Sequence, residues 1–128
     1  MSFLYLASPY SSPIPENAEN PKQIMEMRYH EVKRTAYLLL REQNWVHSSI
    51  LHCHVLADDY ALPKDSRFWN SYNKAILRKA DALLILTLPS WRESRGVTAE
   101  RRMAVELGLP IWFIEPESST ILTSEPKE

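Results

Sequence analysis

No stretch limits the possible folds more than Ala82-Leu83-Leu84-Ile85-Leu86-Thr87-Leu88. Seven residues without a charge, closed by Pro89, read as a strand buried on both faces, the signature of a parallel sheet covered by helices. A short turn through Ser90 and Trp91 leads to Ser94-Arg95-Gly96-Val97-Thr98-Ala99-Glu100. There the period changes. Val97, Ala104 and Leu107 fall near one face while Arg101 and Arg102 are displaced from it, as in an amphipathic helix. A strand, a glycine-containing loop and a helix start form the usual place for a ligand in a doubly wound sheet. Free backbone N–H groups there favour an anion. Glu100 is expected in the first turn of that helix, where a carboxylate also complements the helix dipole.

Taken from the start, Phe3-Leu4-Tyr5-Leu6 is a short strand ending at Ala7-Ser8-Pro9, and a serine- and proline-rich loop runs on to Asn20. Asn20 before Pro21 predicts a capped helix start. Met25, Tyr29, Val32, Ala36 and Leu39 recur at spacings of four and three, so the helix runs to about Arg41. Trp45 to Ser48 reads as a second strand. From Ser49 to Lys64 no period is visible, which predicts a long connection of the kind that is usually functional or mobile. Asp65 or Ser66 caps a further helix, whose stripe of Phe68, Trp69, Tyr72 and Ile76 reads as core. Asp81 introduces the central strand, Gly108 is placed to stop the last helix, and Pro110 leads into a final strand over Ile111 to Ile114. From Glu115 onward the chain is polar and expected to be peripheral. This alternation predicts an α/β fold: a three-layer doubly wound parallel sheet, flavodoxin- or Rossmann-like, in one domain over residues 1–114 with a polar C-terminal tail over 115–128.

Composition removes whole classes of function. Basic and acidic residues nearly cancel to a net charge of −1, so no electrostatic footprint for nucleic acid is present. No apolar run approaches membrane-spanning length. Cys53 is the single cysteine, which excludes an intrachain disulfide and fits a reducing compartment. A cytoplasmic protein with no nucleic-acid or membrane partner is expected. Gly96 and Gly108 are the only glycines, so neither a GxGxxG dinucleotide fingerprint nor a Walker-type phosphate loop can form. No cofactor is expected.

Three stretches in order resemble the nucleoside 2-deoxyribosyltransferase-like superfamily: Tyr5-Leu6-Ala7-Ser8-Pro9-Tyr10, Ala80-Asp81, and Ser94-x-Gly96-Val97-x-x-Glu100. Ala104 followed by Leu107-Gly108-Leu109-Pro110 is similar to that family's ending. With Trp91 included, the last motif looks closer to a small uncharacterised branch near the deoxynucleoside 5′-monophosphate N-glycosidases. The resemblance implies that Glu100 is a nucleophile at C1′ of a deoxyribonucleoside, reacting through an oxocarbenium-like transition state to a covalent glycosyl-enzyme. A helix N-terminus would help keep that carboxylate ionised. Where the transferases of the superfamily carry an aspartate six residues before the glutamate, this chain has Ser94. A hydroxyl can donate to a phosphate that a carboxylate would repel, which points to a nucleotide substrate.

Tyr5 matches a tyrosine that orients the nucleophile, Ser8 and Ser11 would line the same pocket, and Asp81 matches an aspartate near the base. Each has a plainer reading as well: a core tyrosine, a loop serine, a helix-terminal aspartate. The expected activity is N-glycosidic cleavage of a (deoxy)nucleoside 5′-monophosphate, with base exchange or a catalytically inactive nucleotide-binding module as alternatives. The expected partners are a small nucleotide or nucleoside and further copies of the chain, as a homodimer or larger homo-oligomer. Two positions depart from the family. Arg102 stands where the best-known members have a glycine, and no counterpart is evident for their C-terminal asparagine.

His52 and His54, with Cys53 between them and His47 nearby, suggest a metal, but no third ligand stands out and a closed zinc site needs four. No metal is therefore expected. This stretch is instead expected to fold over the pocket and offer His54 to the substrate, with His54 and Asp81 as candidates to protonate the leaving base. Cys53 has no evident base partner. Trp91 is expected at the pocket's edge, where it could stack on a base or seal a subunit contact.

Overall fold

The computed structural model describes residues 2–127, the Ser66 side chain apart. Met1 and Glu128, the outermost residues of the expected domain and tail, lie outside the described residues. The elements follow the chain as β1 (Phe3–Ala7), α1 (Pro21–Arg41), β2 (Trp45–His47), α2 (Ser49–Tyr60), α3 (Ser66–Leu77), β3 (Ala82–Leu86), α4 (Arg95–Leu107) and β4 (Ile111–Ile114). All strand pairs are parallel, in the order β2-β1-β3-β4. The fold is α/β and flavodoxin-like, as the alternation of elements predicts.

Successive side chains of a strand point to opposite faces, and in β1 and β3 both sets are apolar. Tyr5, Ala7, Leu83 and Ile85 pack with Leu77 of α3 and Val97 and Ala104 of α4. Leu4, Leu6, Leu84 and Leu86 pack with Val32, Ala36 and Leu39 of α1. Every residue of β3 is buried, which is why its sequence shows no alternation. Truncating Leu84 to alanine, at 0 % exposure, would cost about 2–5 kcal/mol.

The helix ends have local causes. The Asn20 side chain accepts from Lys22 N at 3.0 Å, with Pro21 at the first helical position. The Asp65 side chain accepts from Phe68 N at 3.0 Å and starts α3. Gly108 ends α4 in the left-handed region at φ 70°, and Leu109 N–H returns to Ala104 O at 2.9 Å.

Three expectations are corrected. The stretch after β2 is a helix rather than a connection: Ser48 Oγ accepts from Leu51 N at 3.2 Å, and α2 begins at once. Its buried residues Ser49, Cys53, His54 and Ala57 do keep helical spacing, but half of that stripe is polar while Val55 and Leu56 are exposed, so no apolar period shows. The aromatic stripe of α3 is rim rather than core. Phe68 is half-exposed, and the inward positions belong to Asn73 and Leu77. β3 closes at Leu86, although Leu88 is still buried. The tail lies at the surface, with no buried residue among those described, and is docked there: Leu122 forms an antiparallel bridge to Phe113, and Glu125 accepts from Arg92 at 3.1 Å and Arg101 at 2.7 Å.

Candidate functional site

From β1 the chain winds outward to β2, then returns across the sheet to β3, so the winding reverses between β1 and β3. Ligands of open α/β sheets bind at the carboxyl ends of the strands at such a reversal. A cleft lies there, with Ala7 and Ser8 at the end of β1 forming part of its lining and Glu100 exposed to it from α4.

Ser94 caps α4, its Oγ accepting from Val97 N at 3.2 Å. Counting from that cap, Glu100 is the sixth helical residue, in the second turn rather than the first as expected. It shares the inward face with Val97, Met103 and Ala104. A carboxyl thus occupies a position that the helical period assigns to an apolar residue. Burial raises its pKa from 4.5 to about 7, against the opposing pull of a hydrogen bond from Tyr5. Burial thus works against the help that the helix start was expected to give the ionised form.

Tyr5, fully buried, donates its hydroxyl to Glu100 Oε2. Burial first, then the neighbouring Glu100, hold the phenol well above its ordinary pKa, so it stays a donor. Ser49 Oγ lies 3.0 Å from the same phenolic oxygen, and His47 Nε2 lies 3.4 Å from Ser49 Oγ. With Tyr5 donating to the carboxylate, its oxygen is free to accept from Ser49. The bonds then point one way along the chain, towards Glu100 Oε2, and support its ionised form. Oε1 is left for chemistry.

The opposite rim is built from hydroxyls and a helix start. The cap bond uses a lone pair of Ser94 Oγ, so its proton remains available to a ligand. The first intrahelical bond runs from Thr98 N to Ser94 O at 2.9 Å, so the N–H groups of Arg95 and Gly96 precede the ladder. Ser8 and Ser11 line the cleft as expected, Ser8 donating to Pro9 O at 3.2 Å. Arg102 is exposed on the outer face of α4. A glycine is not required there for this helix to approach the sheet.

The third wall joins α1, α2 and the β1–α1 loop. His54 lines the cleft as expected, although from a helix, and is 5 % exposed. Its Nδ1 pairs with the Tyr10 hydroxyl, its Nε2 lies 2.9 Å from Glu26 Oε2, and its ring stacks on Tyr29. His52, two residues away on the helix, faces elsewhere and stacks on Tyr72. Among the described residues no three His, Cys, Asp or Glu side chains converge as metal ligands would.

Two expected site residues are elsewhere. Asp81 stands at the other end of the sheet, exposed, where its carboxylate accepts from Phe3 N at 2.7 Å and its own N–H donates to Phe3 O at 2.7 Å. It ties the starts of β1 and β3 together and cannot reach the cleft. Trp91 is buried against Phe113 in the core, with the Arg92 guanidinium 4.4 Å from its ring centre. The turn before α4 directs it away from the cleft.

Other residues join the site unforeseen. Tyr10 was visible only as the end of Ser8-Pro9-Tyr10, and Ser49 could be placed once Ser48 is recognised as a helix cap. Asn73 gave no signal, since it lies among the aromatics of α3. It is 7 % exposed, lines the cleft, and its Oδ1 has no hydrogen-bond partner among the described residues.

A family described as a domain of unknown function (DUF1937) matches residues 2–115. No curated protein matches the chain.

Proposed function

The chain belongs to the DUF1937 family, and we propose that it hydrolyses the N-glycosidic bond of a (deoxy)nucleoside 5′-monophosphate, as a branch of the nucleoside 2-deoxyribosyltransferase-like superfamily. One observation carries the reading: a buried Glu100, tied through Oε2 to Tyr5, at a cleft whose rim is Ser94 and the start of α4. Glu100 Oε1 attacks C1′ as the bond to the base breaks, and the bonding pair leaves with the base nitrogen, which takes a proton. The product of this step is an ester between Glu100 and C1′. Tyr5 stays on Oε2 and polarises that ester, so water displaces the carboxylate from C1′ and releases the sugar phosphate.

The 5′-phosphate is held by the Ser94 hydroxyl and the N–H groups of Arg95 and Gly96. Asn73 Oδ1, the unpartnered acceptor in the wall, takes an N–H of the base, and leaving it empty in a buried wall carries a desolvation cost. A nucleoside, which lacks the group that Ser94 and the start of α4 would hold, should bind less well than its monophosphate. The test is release of free base from a panel of nucleoside 5′-monophosphates and the matching nucleosides, with wild type and Glu100→Ala side by side. Release from at least one monophosphate, lost in the variant, supports the reading. Equal release by both proteins removes Glu100 from the mechanism, and a panel with no release at all removes the activity. Incorporation of an added free base faster than hydrolysis would move the assignment to base exchange.

A further inference from the structure

The chemistry above leaves one group unassigned, the source of the proton that the departing base takes up. Asp81 is at the wrong end of the sheet for it. One constellation at the wall of the cleft is not used by Glu100, Tyr5 or the phosphate rim: Tyr10 and His54, which line it, and Glu26 behind them. The Tyr10 hydroxyl pairs with His54 Nδ1, and Glu26 Oε2 lies 2.9 Å from His54 Nε2. Tyr10 and His54 both line the cleft, and Glu26 is half-exposed to solvent. The row runs from water to the site.

Its members are held from several sides. Arg28, itself buried, donates to Tyr10 O at 2.9 Å and Pro13 O at 2.7 Å, which fixes the loop carrying Tyr10. The His54 ring is clamped by stacking on Tyr29, ring centres 4.1 Å apart, and meets the Tyr10 ring edge-on. The β1–α1 loop, α1 and α2 thus meet around the Tyr10 hydroxyl, in the lining of the cleft. Stapling a loop to two helices would not require a tyrosine hydroxyl, a histidine and a carboxylate in series.

We propose that Tyr10 delivers the proton to the leaving base, drawing it from His54, which Glu26 positions. This assignment rests on the glycosidase reading of the same cleft. In the step, the C1′–N bond breaks and its electron pair stays on the base nitrogen. That nitrogen takes the Tyr10 hydroxyl proton while the phenolic oxygen takes the Nδ1 proton of the His54 imidazolium. His54 becomes neutral and keeps its Nε2 proton on the Glu26 carboxylate, no phenolate forms, and Nδ1 regains a proton from water through the Tyr10 hydroxyl once the base has left the cleft. Concerted transfer matters because burial, with Asp58 and Glu26 nearby, pushes the Tyr10 phenol above its ordinary range. Alone it would be a weak acid. Tyr10 is the catalytic residue here, and His54 and Glu26 act through it as positioning residues.

Leaving-group dependence tests this. A guanine nucleotide methylated at N7 carries a fixed positive charge on the base and departs without a proton. First-turnover release of base, with enzyme in excess, is measured for the ordinary and the N7-methylated 5′-monophosphate in wild type, Tyr10→Phe and His54→Gln. Tyr10→Phe is expected to slow release of the ordinary base by roughly 10²–10⁴-fold, the usual contribution of a positioned acid. It should leave release of the methylated base within about threefold of wild type, and His54→Gln should show the same split. Equal losses on both substrates would make the row merely structural, and unchanged rates on both would remove it from the reaction; either overturns the assignment. Wild type inactive on both substrates and on every other monophosphate of the panel would end the glycosidase reading and this assignment with it. A circular-dichroism melt of each variant separates misfolding from chemistry, because a misfolded variant loses both substrates together with its transition.

Discussion

Asp81 and Glu100 stand at opposite ends of the same pair of strands, and their surroundings assign them different work. Asp81 meets water, with its carboxylate on the N–H of Phe3 where β1 and β3 begin. Glu100 is buried at the other end of β1, bonded to Tyr5, with burial raising its pKa to about 7. Both carboxylates were expected at the site from sequence, yet of the two only Glu100, beyond the carboxyl end of a strand, lines the cleft. In a parallel sheet the strand ends are not equivalent. Loops that leave carboxyl ends converge on the point where the winding reverses, whereas Asp81, at an amino end, ties the starts of two strands together.

The contrast breaks most sharply under alanine. Glu100→Ala should lower base release by roughly four decades or more, the scale seen when a covalent nucleophile is removed. Asp81→Ala should leave turnover within a factor of about two. Comparable losses in both would erase the distinction between the two ends.

Tyr5→Phe sharpens it next. Losing a hydrogen bond to a charged group costs about 1.5–3 kcal/mol, or one to two decades in kcat/KM. Because the bond from Tyr5 lowers the Glu100 pKa against its burial, the variant should titrate higher. The ionised carboxylate is the reactive form, so wild-type kcat/KM should rise with pH through about 7, and the Tyr5→Phe curve should lie to the alkaline side. A curve left in place would show that Tyr5 does not reach the carboxylate in solution.

Ser94 adds the phosphate rim. Ser94→Ala should weaken monophosphate binding by one to two decades, and also cost about 1 kcal/mol of stability through loss of the cap. Ser94→Asp separates the two effects, since aspartate caps a helix as well as serine does but repels a phosphate. It should keep the stability, lose monophosphate binding, and shift preference towards the uncharged nucleoside. Unchanged ligand ratios in both variants would make Ser94 a cap and nothing more.

The smallest effects are on stability, and they again differ in kind at the two ends. The folded pKa of Glu100 lies above its ordinary value of 4.5. Its contribution to stability is therefore fully present below about 4.5 and is lost as the pH rises through about 7. Glu100→Gln should flatten that slope in denaturant titrations at several pH values. Asp81→Ala should cost about 0.5–1 kcal/mol, the worth of one exposed hydrogen bond.

Much of this was legible before any coordinates. The uncharged run from Ala82 announced a doubly covered strand, Asn20-Pro21 and Gly108 marked helix ends, and Ser94 and Glu100 fell at the cleft as their spacing implied. What escaped detection has physical causes. The polar residues on the buried stripe of α2 serve the site rather than the core, so the period that reveals a helix is missing where function is concentrated. Glu100 was misplaced by a turn because Ser94, not a residue nearer the glutamate, is the cap. Asp81 misled because sequence order does not tell which end of a strand a residue occupies. Trp91 misled because an aromatic residue in a loop reads as surface until the turn's direction is known. Asn73 became visible only as an unpartnered acceptor, a property of packing that no linear pattern carries.

The most direct test is to look for the bond itself. Acid-quenching the enzyme during turnover of a cleaved nucleoside 5′-monophosphate, followed by peptide mass spectrometry, should find a sugar-phosphate increment on the peptide containing Glu100. The adduct should appear as base is released and decay as sugar phosphate forms. Base release with no adduct on Glu100 at any time point, in a protein that also keeps its rate as Glu100→Ala, would contradict the account.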